Sequence, residues 1–167
     1  FSYPEVCPSC SEKTYVEDIR LVCKNPSCPE KVKDEILNFI RKMGIENLSD
    51  KRLDELISAK VVLDIPSLYD LSVEKLMEME KVKEKLASKI VNSINTSKKV
   101  ELTTLLASLG ISGGAYNKCE KIVHNGYDTW NKIKSLTPEK LVEIESFAEK
   151  SSFEFSSNFD NSAATFF

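Results

Sequence analysis

Four of the five cysteines crowd into the first 28 residues, as Cys7-Pro8-Ser9-Cys10 and Cys23-Lys24-Asn25-Pro26-Ser27-Cys28, with twelve residues between the pairs. A short spacer puts two thiolates on one tight turn, and two such turns offer one ion four sulfurs as a tetrahedron. Four protein ligands leave no position for water, so the site is expected to be structural rather than catalytic. The chain opens Phe1-Ser2-Tyr3-Pro4, with no basic segment leading into an apolar one, so no secretion signal is visible. Cysteines crowded in that setting point to metal before disulfides. Zinc is the expected occupant of Cys7, Cys10, Cys23 and Cys28; an iron–sulfur cluster, or free or paired thiols, are the alternatives. The start without Met suggests a piece of a longer chain.

The metal has a reason to be there. Residues 1–30 are rich in Pro, Ser, Cys and charge, with short apolar runs at Tyr15-Val16 and Ile19-Arg20-Leu21-Val22. Two short strands around an ion fit, but so few apolar side chains build no useful core, and such a piece needs a staple. Zinc contributes about 10–16 kcal/mol of apparent free energy in small fingers.

From Lys31 onward the pattern is helical. Ile36, Phe39, Ile40 and Met43 recur at helical spacing, as do Leu53, Leu56 and Ile57. Ser72 and Thr137 stand as N-caps, the latter with Pro138 at the first helical position. Gly44, Gly110 and Gly126 each follow an apolar run and read as helix stops. The segment Leu71-Ser72-Val73-Glu74-Lys75-Leu76 returns as Leu136-Thr137-Pro138-Glu139-Lys140-Leu141, an offset of 65 residues that marks a duplicated unit. The expected architecture is mainly α: a four-cysteine finger over 1–30, then a helical body over 31–159. Its two halves, about 31–98 and 99–159, each hold four helices paired into two hairpins. Phe153, Phe155 and Phe159 suggest a last amphipathic helix, and 160–167 reads as linker or truncated tail.

Composition adds limits. The net charge is −3, whereas proteins that neutralise phosphates usually carry a basic footprint; the 23 Lys and Arg can still line one face. No apolar run reaches the roughly 20 residues of a membrane span, so no membrane partner is expected. His124, near a helix end, reads as a surface or capping residue, and Cys119 as a small buried hydrophobe. Tyr127 and Trp130 read as core of the second half, and the run 78–85 as partly a solvated face.

Cys-Pro-x-Cys, Cys-x-Asn-Pro-x-Cys-Pro at 23–29, and Met43-Gly44-Ile45-Glu46-Asn47-Leu48-Ser49-Asp50-Lys51 follow one another in order. Ile65-Pro66-Ser67-Leu68-Tyr69-Asp70-Leu71, Ile94-Asn95-Thr96-Ser97-Lys98-Lys99 and Leu105-Leu106-Ala107-Ser108-Leu109-Gly110-Ile111 come after them. In this order the chain resembles, over nearly its whole length, the zinc-finger and helix-hairpin-helix region of bacterial NAD-dependent DNA ligases. The resemblance implies a body of four tandem helix-hairpin-helix motifs that grips nicked double-stranded DNA without reading sequence, in replication and repair. It implies a cytoplasmic, monomeric parent enzyme that uses NAD and Mg. Its catalytic and oligonucleotide-binding domains would precede this region. Neither the Lys-x-Asp-Gly motif of the nucleotidyl-transferase domain nor a glycine-rich nucleotide loop occurs here, so no catalytic residue is assigned and this stretch is not expected to be active alone.

In such a motif, glycines in an h-x-G-h-G turn let backbone amides approach a phosphate at the second helix's N-terminus. This chain departs from that pattern. Its paired positions read Asn47 and Ser49, Lys81 and Lys83, Gly113 and Ala115, then Ser146 and Ala148, so all four second glycines are missing. Asn47, which tolerates positive φ, and the pair Gly113-Gly114 make the first and third hairpins the better phosphate sites, ahead of the second and fourth; at the second, Lys81 and Lys83 are the alternative, offering charge where backbone approach is blocked. Lys51, Lys85 and Lys150 follow each second position by two residues, and Asn117 and Lys118 occupy that region of the third hairpin. The expected DNA contacts are Asn47, Ser49, Lys51, Lys83, Lys85, Gly113, Gly114, Asn117, Lys118 and Lys150. The competing expectation is a structural or protein-interaction module of the same fold with weakened DNA binding.

Overall fold

The computed structural model describes residues 3–166, with side chains over 3–160. Phe1, Ser2 and Phe167, which opened and closed the sequence reading, lie outside the described residues. The finger is one antiparallel hairpin, β1 (Thr14–Glu17) against β2 (Arg20–Cys23), in the register Thr14↔Cys23, Tyr15↔Val22, Val16↔Leu21 and Glu17↔Arg20. Asp18 turns it with φ +54. Val6 bridges Lys13 alongside, which folds the first cysteine loop back onto the strands.

Ten helices follow among the described residues. The first half holds α1 (Pro29–Lys42), α2 (Asp50–Ser58), α3 (Ile65–Leu68), α4 (Val73–Met77) and α5 (Glu84–Ser97). The second holds α6 (Leu102–Ser108), α7 (Tyr116–His124), α8 (Trp130–Lys134), α9 (Pro138–Val142) and α10 (Glu149–Phe166). Each half thus has five helices where four were expected. The additions are α3 and α8, single turns too short to show a period. They are started by caps: the Asp64 side chain accepts from the Ser67 amide in a reciprocal capping box, and Thr129 accepts from the Lys132 amide. Gly44, Gly110 and Gly126 have φ +66, +66 and +92 and end α1, α6 and α7 as expected. The tail also differs: α10 runs on to Phe166, so the stretch after Asp160 continues the helix instead of breaking into linker.

The hairpins are α1–α2, α4–α5, α6–α7 and α9–α10, and α1 packs on α6 to join the halves. The amphipathic spacing of α1 buries Ile36, Leu37, Phe39 and Ile40. Across the α1–α2 hairpin, Lys33 Nζ pairs with both Asp50 and Asp54 at 2.8 Å, and the two carboxylates hold its ammonium well above the usual lysine range. In the second half, Phe155 makes an edge contact with Phe147 (centroids 5.8 Å apart) and stacks on Phe159 at 6.0 Å, with Trp130 tilted against Phe159 at 5.3 Å. Trp130 and Tyr127 pack on the core, as their sequence context suggested.

The duplication exposes one defect. Ser152 is 0% exposed and, among the described residues, its hydroxyl has no hydrogen-bond partner. The residue 65 positions earlier is Ala87, equally buried. A buried hydroxyl without a partner loses its hydration for nothing, so Ser152→Ala is expected to stabilise the chain by about 1 kcal/mol. The urea midpoint measures it, and a lower midpoint in the variant would show that the hydroxyl is satisfied.

Candidate metal centre and nucleic-acid interface

The finger brings its four cysteines together from three local devices. Ser11, at φ +59, reverses the first loop; its amide donates to the Cys7 carbonyl at 2.8 Å while the Cys7 amide donates to Glu12 at 2.7 Å. Cys23 closes β2 opposite Thr14. Asn25 makes the second loop tight by accepting the Ser27 amide on its side chain (3.0 Å) and the Cys28 amide on its carbonyl (3.3 Å). Cys28 then stands as the N-cap of α1, with Pro29 next.

The four sulfurs lie within 4.8 Å of one another, Cys7 to Cys28 at 3.8 Å and Cys10 to Cys23 at 3.5 Å. A disulfide needs about 2.05 Å. Four sulfurs around a zinc at about 2.3 Å stand roughly 3.8 Å apart, so the donor set fits a tetrahedral metal ion such as zinc. The electrostatics differ from one thiol to the next. Amides of Ser9 and Cys10 aimed at Cys7 lower its pKa to about 7. At Cys23 the Asn25 amide pulls the same way, but burial and the thiols of Cys10 and Cys7 outweigh it and push the pKa to about 11. Thiolates so close repel, and a dication removes that repulsion. Cys119 is different: burial raises its pKa to about 11, and its thiol donates to the Gly114 carbonyl at 3.3 Å. It is an inert core residue.

The four hairpin turns share one conformation. Asn47, Lys81, Gly113 and Ser146, at the first glycine positions, have φ +65, +65, +77 and +78. Only one of them is glycine, and L-residues disfavour this region by about 1–2 kcal/mol. The second positions need no such freedom: Ser49, Lys83 and Ala115 have φ −74, −97 and −58 as N-caps of α2, α5 and α7. At these three turns the missing second glycines therefore add a Cβ without straining the backbone.

The side chains divide into two grooves. Asn47, Lys83 and Lys85 line one of about 320 Å³, together with Lys81, Leu86 and Lys89. Gly113, Gly114 and Lys118 line another of about 310 Å³, with Lys42 beside them. Lys118 Nζ sits 5.0 Å over the Phe147 ring, so its cation is held between the third and fourth hairpins. Ser49, Lys51, Asn117 and Lys150 are exposed and line neither groove. Gly114 is buried: a Cβ there would lie 3.0 Å from the Ile111 carbonyl oxygen and 3.2 Å from the Phe155 ring. Its glycine serves internal packing, not the outward approach expected of it.

Lys42, Lys81 and Lys89 line these grooves but were absent from the expected contacts. Lys89 lies one helical turn beyond Lys85, a spacing that puts both on one face and could have revealed it. Lys42 becomes visible only when α1 meets α6, where it donates to the Ala107 carbonyl at 2.9 Å. Among the described residues, no helix is long and apolar enough to cross a membrane.

No family model matches the chain. It is similar to the DNA ligase of Lysinibacillus sphaericus, 33% identical over 168 residues that cover 98% of this chain and 25% of that protein. The DNA ligase of Leptospira interrogans is 34% identical over 172 residues, or 96% of this chain and 25% of the relative. That of Methylacidiphilum infernorum is 34% identical over 143 residues, or 84% and 21%. The chain spans about a quarter of the length of these relatives.

Proposed function

We propose, on the premise that this chain is a homologue of one portion of the DNA ligases, that it is the zinc-finger and helix-hairpin-helix portion of an NAD-dependent ligase. It grips double-stranded DNA at a nick through sugar-phosphate contacts that do not read sequence. The observation carrying this reading is the left-handed conformation kept at all four turns, three of them without glycine. A fold indifferent to what its turns present would have no need to hold Asn47, Lys81 and Ser146 in a disfavoured region. Each turn ends at a helix whose first amides have no intrahelical acceptor and whose dipole favours an anion.

Zinc at Cys7, Cys10, Cys23 and Cys28 organises the finger and takes no part in chemistry. Val16 (60% exposed) and Ile19 (95%) point apolar side chains outward from the finger. That supports its use as the joint to a preceding oligonucleotide-binding domain. Catalysis, with NAD and Mg, belongs to the rest of the parent enzyme, a monomer of the cytoplasm serving replication and repair.

Fluorescence anisotropy of labelled nicked duplex at two salt concentrations tests this. Affinity is expected to fall steeply with salt, and Lys51→Ala and Lys118→Ala each to lower the slope of log affinity against log salt by about 1. Binding that ignores both salt and the two substitutions would instead favour a protein-interaction module.

A further inference from the structure

We propose that the two halves of the body do not share the grip equally. The first half carries the main anion site, a cradle of Lys81, Lys83, Lys85 and Lys89 around the second hairpin turn. This rests on the reading of the chain as a DNA-gripping portion; it adds Lys89 and makes the charge at this turn, which the sequence offered only as an alternative, the principal site.

The groove of about 320 Å³ at this turn is lined by those four lysines with Asn47 and Leu86, and by no carboxylate. Glu80 and Glu84 share the turn but do not line it. Among the described residues none of the four ammonium groups is ion-paired, whereas Lys24, Lys33, Lys121 and Lys132 all are. Four unpaired cations along one groove raise the local potential and repel one another until an anion arrives. The groove opens at the start of α5, a helix of 14 residues whose terminus favours the same charge. Asn47 extends it to the first hairpin turn, and the Glu46 amide, donating to Ser93 Oγ at 2.8 Å, holds that turn against α5. An open surface that runs from one turn to the next suits a linear polyanion, the phosphodiester strand.

The duplication supplies an internal comparison. Sixty-five residues on, the equivalent positions are Ser146, Ala148, Lys150 and Glu154. The backbone is alike, with φ +78 at Ser146 against +65 at Lys81. The charge is not: four lysines against one lysine cancelled by one glutamate. Glu154 also accepts a hydrogen bond from Ser112 Oγ at 3.0 Å, placing a carboxylate beside the third turn. Charge at the second hairpin thus substitutes for the lost glycines and moves it ahead of the first and third, while the fourth stays last.

The test gives the second hairpin the side chains of the fourth: Lys81→Ser, Lys83→Ala and Lys89→Glu in one chain. A control, Lys13→Ser, Lys99→Ala and Lys140→Glu, makes the same charge change elsewhere. Nicked duplex is titrated between 50 and 200 mM salt, and circular dichroism verifies folding. Three lost phosphate contacts lower the slope by about 2.7, so the fall in affinity over that range shrinks roughly 40-fold, while the control stays within a few-fold of the parent. A parent chain with no salt-sensitive binding removes the DNA-gripping reading and this inference with it. A parent that binds, with the triple variant matching it or the control losing as much, overturns the inference alone.

Discussion

Stripping zinc from the chain is expected to unfold residues 5–28 and leave the helical body standing. The finger buries Cys7 and Cys28 but little else, while Tyr15, Val16, Ile19 and Leu21 remain exposed. Among the described residues its four-residue strands have no second sheet layer, and an isolated hairpin is marginal in water. Against that, a four-thiolate zinc contributes about 10–16 kcal/mol of apparent free energy at pH 7, more than the whole stability of many domains. The body needs none of it, because its continuous core runs from Ile36 to Phe159. Amide exchange should show protection lost at Thr14–Cys23 after chelation and kept in α5 and α10, with one equivalent of zinc restoring it. Cys23→Ser should behave as the stripped chain does. A finger equally protected with and without metal, or no uptake of one equivalent, would defeat the assignment of all four ligands.

Phe155→Ala should be among the most damaging single changes in the body, costing about 3–5 kcal/mol. Phe155 is 1% exposed, contacts Phe147 and Phe159, and closes over the turn at Gly114. Truncation leaves a cavity between the third and fourth hairpins that the short α9 cannot fill. For a chain of this size, the melting temperature should drop by roughly 6–20 °C. Phe153, two residues away on α10 and 66% exposed, is the control: Phe153→Ala should stay within about 0.5 kcal/mol. Equal losses in both variants would mean that α10 presents a different face to the core.

What the sequence disclosed follows from what each residue can do alone. The four-cysteine cluster was legible because thiolates on short spacers have few other uses, and the structure brings all four sulfurs within 4.8 Å of one another. The turn at Asn47 was legible because asparagine tolerates positive φ. At Lys81 and Ser146 nothing in the residue type announces a left-handed backbone; it is visible only from their place in the repeat. Gly114 misled for the opposite reason. A glycine in a turn suggests an outward approach, yet the neighbour that demands it, Phe155, lies 41 residues away in sequence. The helices α3 and α8 escaped because one turn has no periodicity, although Asp64 with Ser67, and Thr129, carried the capping signal. The continuation of α10 beyond Asp160 was hidden by a stretch of small and polar residues that reads as linker.

Cys28 is at once one of the four clustered thiols and the residue from which α1 starts, and Pro29 removes the freedom of the joint. No slack separates the knuckle from the first hairpin. The 14 residues of α1 form a rod about 21 Å long, so tilting the knuckle by 10° would swing its far end by roughly 4 Å. That is more than the length of a hydrogen bond, and the turn carrying Asn47 rides on that end. Whatever the outer face of the finger leans against therefore works the first hairpin as a lever, and a small tilt at the knuckle is magnified at the turn that carries Asn47.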